Sequence, residues 1–238
     1  MREIRSTTEV APGILFVEGP ASNWTVFHGG GSVELVDCGY PADRPLVEAS
    51  IRQAGAEPAA LRRILITHGH SDHLGASREL AADSGARVQT AADELPNVRR
   101  EVTEQVTVAD LLPSVLKRGT VRWAVEAIRA GGLGDVGVPA ATAFDGHTLA
   151  LSTGHRLQVV ATPGHTSGHV CFFEPDARAL ITGDAVVTGH ALLRDAGELQ
   201  QLPAFFHHDV DRAERSARLL DLCDATAVLP GHGPLLRL

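Results

Sequence analysis

Within ITHGHSDHLGAS, residues 66 to 77, four side chains able to ligate a metal fall inside six positions: His68, His70, Asp72 and His73. On an extended strand, side chains two apart share a face, so His68 and His70 can aim at one ion. Asp72 and His73 follow as the chain turns and can aim at a second position beside the first, with Gly69 and Gly75 relieving crowding. Imidazole nitrogen and carboxylate oxygen without thiolate form a ligand set suited to Zn²⁺, and also to Fe²⁺ or Mn²⁺. The alternative for this stretch alone is a polar, histidine-rich loop that binds nothing.

Three further loops end in a residue of the same kind. ATPGHTSGH presents His165, ITGD presents Asp184 and LPGHG presents His232. Singly these are a turn residue, a helix cap and a terminal loop residue. Together with the first cluster they make seven candidate ligands, enough for two cations with three terminal ligands each and one carboxylate between them.

The elements that must carry these loops are legible as periodicity. Short β-like runs, ILFVEG (14–19), WTVFH (24–28) and SVELVD (32–37), are separated by Gly, Pro, Ser and Asn and predict an antiparallel start. DRPLVEASIRQAG then changes period: Asp43 can cap, Pro45 fits a first turn, Leu46, Val47 and Ile51 recur at helical spacing, and Gly55 offers a stop. RRILITH follows as a buried strand that delivers the histidine cluster, LGASRELAADSG as a helix, and ARVQT as a strand. After residue 140 come HTLAL (147–151), RLQVVAT (156–162), HVCFFE (169–174) and ALITGD (179–184), then a helix near DRAERSARLLDLC and the strand TAVLPGHG. Residues 92–140 interrupt this order as a helical insertion. TEQVTVADLLPSVLKRG and VRWAVEAIRAGG both read as helices, the second with Val121, Ala124, Val125 and Ile128 on one stripe. Such an insertion is either a cap on the sheet edge or a lid over the metal loop. We expect one domain across residues 1–238.

Composition narrows the partners. A chain of 238 residues with 44% hydrophobic content can bury a sizeable core, and a formal charge of -8 disfavours wrapping nucleic-acid phosphates. No run approaches the roughly 20 apolar residues that cross a bilayer, and MREIRSTTEVAPG has no apolar export core, so the expectation is a cytoplasmic protein without a membrane partner. The three cysteines, Cys38, Cys171 and Cys223, are widely spaced with no CxxC pair and read as buried thiols. The partner is a small-molecule substrate; nothing in the sequence sets the oligomeric state.

HGHSDH, TPGHTSGH, TGD and PGHG, preceded by VDCG with Asp37, resemble the ordered motif series of the metallo-β-lactamase fold superfamily, and the match spans residues 37 to 232. The resemblance implies an α/β fold, a four-layer αβ/βα sandwich of two mixed sheets with outer helices and a dinuclear site at one edge. It implies that His68, His70 and His165 hold one metal, that Asp72, His73 and His232 hold the other, and that Asp184 bridges them. Asp37 would orient a ligand histidine. True β-lactamases of this fold generally lack an aspartate at the Asp184 position and are exported, which tells against antibiotic hydrolysis. The flavodiiron relatives usually carry glutamate where His70 stands, which favours hydrolysis over oxygen reduction.

The implied cofactor is two Zn²⁺ per chain, with Fe or Mn as alternatives, lowering the pKa of a bridging water from about 15.7 towards neutrality for attack on a carbonyl. Asp72 and Asp184 are the catalytic candidates, Asp72 also passing a proton to the leaving group. The resemblance points to lactonases and to thioester hydrolases such as glyoxalase II. The chain ends six residues after His232, which weighs against the glutathione-binding domain of the latter. Lactonases of the fold use a tyrosine near the metals, and the single tyrosine is Tyr40. His190, with His207 and His208, could line the substrate pocket or sit on the surface, and Trp24 and Phe27 could form an apolar wall or belong to the core, the core being the commoner place for Phe27. Other readings are a mononuclear iron enzyme resembling persulfide dioxygenases and a phosphodiesterase, the latter opposed by the acidic charge.

Overall fold

The computed structural model describes residues 2–107, 119–193, 196–220 and 224–238. Two sheets stack face to face. The first runs in the order β1 (Ser6–Ala11), β2 (Ile14–Glu18), β3 (Asn23–Gly29), β4 (Ser32–Val36), β5 (Leu61–Leu65), β6 (Arg87–Thr90), β7 (Thr142–Ala143). The second runs β13 (Leu236–Arg237), β12 (Ala227–Pro230), β11 (Ala179–Gly183), β10 (Val170–Glu174), β9 (Arg156–Ala161), β8 (Thr148–Ala150). The first four strands are antiparallel neighbours, β4 to β7 are parallel, and β11 pairs parallel with β12, so both sheets are mixed.

Strand periodicity divides the core. On β2, Ile14 and Phe16 point between the sheets while Leu15 and Val17 point to the outer side; on β3, Phe27 points inward and Trp24 and Val26 outward. The inward set meets Phe172, Leu157, Ile181 and Leu229 of the second sheet. The outward set is covered by Val47 and Ile51 of α1 (Arg44–Gln53) and Leu80 of α3 (Ser77–Ser84), which follows the short α2 (Ser71–Leu74). On the far side of the second sheet, Cys171 and Leu180 pack with Leu220, just past α6 (Val210–Leu219). Helix, sheet, sheet, helix is the four-layer arrangement expected, each layer burying the face its alternation makes apolar.

Several expectations change in detail. Asp43 stands at the start of α1, but its carboxylate makes no cap bond; it accepts from Arg2 at 2.6 and 2.8 Å and from the Tyr40 amide at 3.1 Å. In the stretch expected to be helical, α4 is only Leu95–Val98, residues 103–107 are not helical, and 108–118 lie outside the described residues. The second expected helix is α5 (Thr120–Arg129). Its C-terminal end is tied to the chain near the histidine cluster, with Ala42 N–H donating to Ala130 O at 3.1 Å and Ser71 Oγ to Gly132 O at 3.1 Å. Cys38 and Cys171 are buried and form no disulfide among the described residues, whereas Cys223 lies outside the described residues.

Candidate metal centre

The C-terminal ends of β4, β5, β9, β11 and β12 share one rim of the sandwich, and each feeds a loop carrying a candidate residue: Asp37, the His68 cluster, His165, Asp184 and His232. After β5 the backbone stays extended to His70, then turns into α2, which swings Asp72 and His73 to the neighbouring position. Ligand atoms of His68, His70, His165 and Asp184 lie within 4.8 Å of one another, and those of Asp72, His73 and His232 form a second such group. Asp184 sits between the two. Its Oδ2 is 3.4 Å from His165 Nε2 and 3.3 Å from His232 Nε2, and its Oδ1 is 3.4 Å from His73 Nε2. His232 Nε2 also lies 3.4 Å from Asp72 Oδ2. All these side chains are buried except Asp72, which is partly open to solvent.

The outer nitrogen of each ring is committed. Backbone carbonyls only accept, so His70 donates from Nε2 to Glu104 O at 2.6 Å and His232 from Nδ1 to Ala21 O at 2.8 Å. His73 donates from Nδ1 to Asp37 Oδ2 at 2.8 Å. Thr67 gives its hydroxyl proton to the same Asp37 oxygen at 2.8 Å, so Thr67 Oγ1 accepts from His68 Nδ1 at 3.0 Å. His207 donates from Nε2 to Leu202 O at 3.1 Å, leaving its Nδ1 to accept from His165 Nδ1 at 3.2 Å. Every inward nitrogen therefore carries a lone pair when its ring is neutral. Burial first, then the neighbouring imidazoles, hold His68 and His165 well below the ordinary histidine range, and burial lowers His70. Their lone pairs consequently face one another, with His70 Nδ1 and His165 Nε2 only 3.0 Å apart. His68 Nε2, His73 Nε2 and Asp184 Oδ1 are buried with no hydrogen-bond partner among the described residues. Converging lone pairs around a carboxylate repel unless a cation lies among them, and the donor set fits divalent metal. At His73 and His232 burial opposes charge, but Asp184 and Asp72 outweigh it and raise both rings, so a proton is held where a cation would be.

Other residues position the loops. Asp37 adopts φ +59, a left-handed conformation tolerated by aspartate, and accepts from the Thr67 amide at 2.9 Å as well as from His73. Glu94 is fully buried and accepts from Gly69 N at 2.8 Å, Asn97 Nδ2 at 2.7 Å, Thr166 Oγ1 at 2.7 Å and Gly168 N at 2.9 Å. It thus clamps the His68–His70 loop to the His165 loop, with burial raising its pKa. The Glu104 carboxylate holds Ser167 N and Oγ, each at 2.6 Å, while its backbone carbonyl fixes His70. His169 Nε2 accepts from the Asp184 amide at 3.1 Å. None of these four, Glu94, Glu104, His169 and the bracing His207, follows from the motifs as ligand neighbours; the second histidine of TPGHTSGH is the one available signal.

Of the expected pocket residues, Tyr40 lines a cleft of about 130 Å³ together with His70 and Asp72. Burial, then Asp72, raises its phenol well above the usual range. His190 sits beside His232, ring centroids 5.0 Å apart, in an adjoining cavity. His208 is on the surface side of Glu104. Trp24 is not a pocket wall: it is buried in the helix-covered core, its Nε1 donating to Ser50 Oγ at 3.0 Å, because it shares the outward parity of Val26. Phe27 is likewise core.

Acid should destabilise the metal-free protein. Burial pushes His169 and His190 down to about 3, so each stays neutral when folded but takes a proton below about pH 6.5 when unfolded. Stability is thus full above that pH and lost as pH falls, at about 1.4 kcal/mol per pH unit for each proton taken up. His73 and His232 oppose the trend, the lowered His68, His70 and His165 add to it, and Asp184 adds only below about pH 4, where an unfolded carboxylate takes its proton. Urea midpoints of chelated protein at pH 7.5 and 5.0 measure this; an equal or higher midpoint at pH 5.0 contradicts it.

The sequence profile of the Metallo-beta-lactamase superfamily matches residues 17–232, and the chain belongs to that superfamily. It is a hydrolase enzyme with a divalent-metal site built from histidine and aspartate. The probable metallo-hydrolase YflN of Bacillus subtilis (strain 168) is 30% identical over 216 residues, covering 85% of this chain and 75% of that protein. A hydroxyacylglutathione hydrolase of Rhizobium meliloti (strain 1021) is 28% identical over 196 residues, covering 81% of this chain and 54% of its own. The fold matches a metallo-beta-lactamase family protein of Thermus thermophilus with a TM-score of 0.64 at 21% identity, covering 96% of this chain and 76% of that one. Among the described residues no helix is long and apolar enough to cross a membrane.

Proposed function

We propose that this protein is a dinuclear zinc hydrolase that cleaves a small ester, lactone or thioester at its carbonyl. The supporting observation is the ring of inward lone pairs, above all the 3.0 Å approach of His70 Nδ1 to His165 Nε2 with both outer nitrogens committed as donors. His68, His70 and His165 would hold one cation and Asp72, His73 and His232 the other, with Asp184 shared. When bound, such a pair supplies Lewis acidity for a carbonyl oxygen and lowers the pKa of a water towards neutrality.

The chain's own groups do the rest. Asp72 is the acidic side chain that lines the cleft and is partly open, so it takes a proton from water and returns it to the leaving oxygen or sulfur. Tyr40, kept protonated by its surroundings, donates to an oxygen of the bound substrate. Asp37, His207 and the Glu104 carbonyl hold three rings in the tautomer that turns a lone pair inward. The apolar walls exclude water from the reacting carbonyl. A net charge of -8 and the absence of basic side chains from the described cleft lining weigh against phosphodiesters.

The test is elemental analysis of protein purified without added metal, followed by a screen of lactones, thioesters, simple esters, a chromogenic β-lactam and a phosphodiester. Two zinc per chain with carbonyl turnover is the expected result. One iron per chain and no hydrolysis overturns it.

A further inference from the structure

The cleft beside His70 and Asp72 is walled by Val106, Trp123, Ala124, Ala127, Ile128 and Leu133. Its other polar members are already engaged or face the centre: Gln105 accepts from Ser71 Oγ at 2.8 Å and donates to Gly132 O at 3.3 Å, and Tyr40 stands at the inner end. Among the described residues no lysine or arginine lines the cleft, so away from His70 and Asp72 its described wall suits an apolar group better than a carboxylate or phosphate. Trp123, Ala124, Ala127 and Ile128 share one face of α5, and the two alanines make the hollow where larger side chains would close it. Trp123 is held edge-on by Phe206 and His190, at centroid distances of 5.4 and 5.7 Å. Beyond the cleft the apolar surface continues: Ile128 and Leu133 are 49% and 66% exposed, and Val121 and Val125 extend the same helix outward. Of the stripe that periodicity marks, Ala124 and Ile128 line this cleft beside the metal loop, and Val121 and Val125 lie exposed next to it.

We propose that the substrate carries an unbranched hydrocarbon chain next to its scissile carbonyl, seated against α5 and selected by length. This rests on the hydrolase reading above for the carbonyl and adds the chain. Transfer of each methylene from water to such a wall raises kcat/KM about fourfold until the cleft is full.

Zinc-loaded enzyme is assayed with two ester series, one lengthening the acyl chain from acetyl to decanoyl, the other lengthening the alcohol. A rise of about fourfold per carbon in one series, levelling at a fixed length, supports the proposal and tells which side of the carbonyl the chain occupies. In Ala124→Leu the plateau shifts to shorter chains and the hexanoyl to acetyl ratio falls at least tenfold. Flat profiles in both series, with hydrolysis intact, overturn the chain and leave the hydrolase reading standing. Straight-chain 2-ketones, titrated by tryptophan fluorescence, separate the two independently of turnover. Affinity rising with length in a protein that hydrolyses nothing keeps the chain and overturns the hydrolase; no length dependence overturns the chain.

Discussion

Asp184→Asn is expected to reduce bound zinc from two to at most one per chain and to lower kcat/KM by about three orders of magnitude, ~4 kcal/mol of barrier. The substitution keeps the shape and replaces one oxygen by an NH2. Asp184 stands within 3.4 Å of His73, His165 and His232 at once, so the amide puts a donor among lone pairs where a shared anion had been. Ligand atoms of both groups lose their common negative charge in a buried site, where an uncompensated cation is costly. The backbone is unaffected, because His169 accepts from the residue 184 amide whatever the side chain. Without the carboxylate that keeps His73 and His232 protonated, the chelated variant should melt somewhat below chelated parent, and the rise in Tm on adding zinc should largely disappear. Saturation at 100 times Kd is worth about 2.7 kcal/mol per site, so the difference is measurable. Two tightly held zinc ions and undiminished turnover in this variant would falsify the bridging role.

The seven converging residues were legible because each lies in the loop or short helix that follows a clear apolar strand, β5, β9, β11 or β12, and glycine and proline mark where that strand stops. β2 to β6 and β8 to β12 were readable for the same reason. β1 was not, since STTEVA is an edge strand of half-buried residues without alternation, and β7 and β13 have two residues each. Glu94 carries no local signature at all: its partners at Gly69, Thr166 and Gly168 lie 25, 72 and 74 residues away, and only the fold makes its burial affordable. His207 braces His165 across 42 residues in the same way. Trp24 stayed open between pocket wall and core because an aromatic beside polar neighbours suits either face of a strand, and parity with Val26 turns it to the helices. The α5 stripe shows the converse limit. Amphipathic periodicity states which residues share a face but not what lies opposite, here a cleft in place of core.

Gly231→Ala tests the same centre by bulk without replacing a ligand. A Cβ on Gly231 would lie 2.3 Å from Asp184 Oδ1, 2.8 Å from Gly183 O and 2.8 Å from His73 Cε1. Gly231 is not among the glycines with positive φ, so alanine meets no backbone penalty and the effect is steric. The backbone has little room to retreat, since Gly231 N–H donates to Gly183 O at 2.8 Å and its carbonyl accepts from Asn23 N at 2.8 Å. The Asp184 carboxylate and the His73 ring must move instead, and one methyl thereby disturbs both halves of the ligand set. Overpacking of this kind costs about 1–3 kcal/mol of fold stability, a Tm loss of roughly 2–12 °C at this chain length. Metal affinity, which depends on ligand placement to within tenths of an ångström, should fall about a hundredfold or more, and kcat/KM with it. Competition with a chelating dye reads the affinity, and melting of the chelated protein reads the fold. A variant that keeps parental zinc affinity would mean that Asp184 and His73 have slack beside residue 231, and the packing of this rim would have to be redrawn.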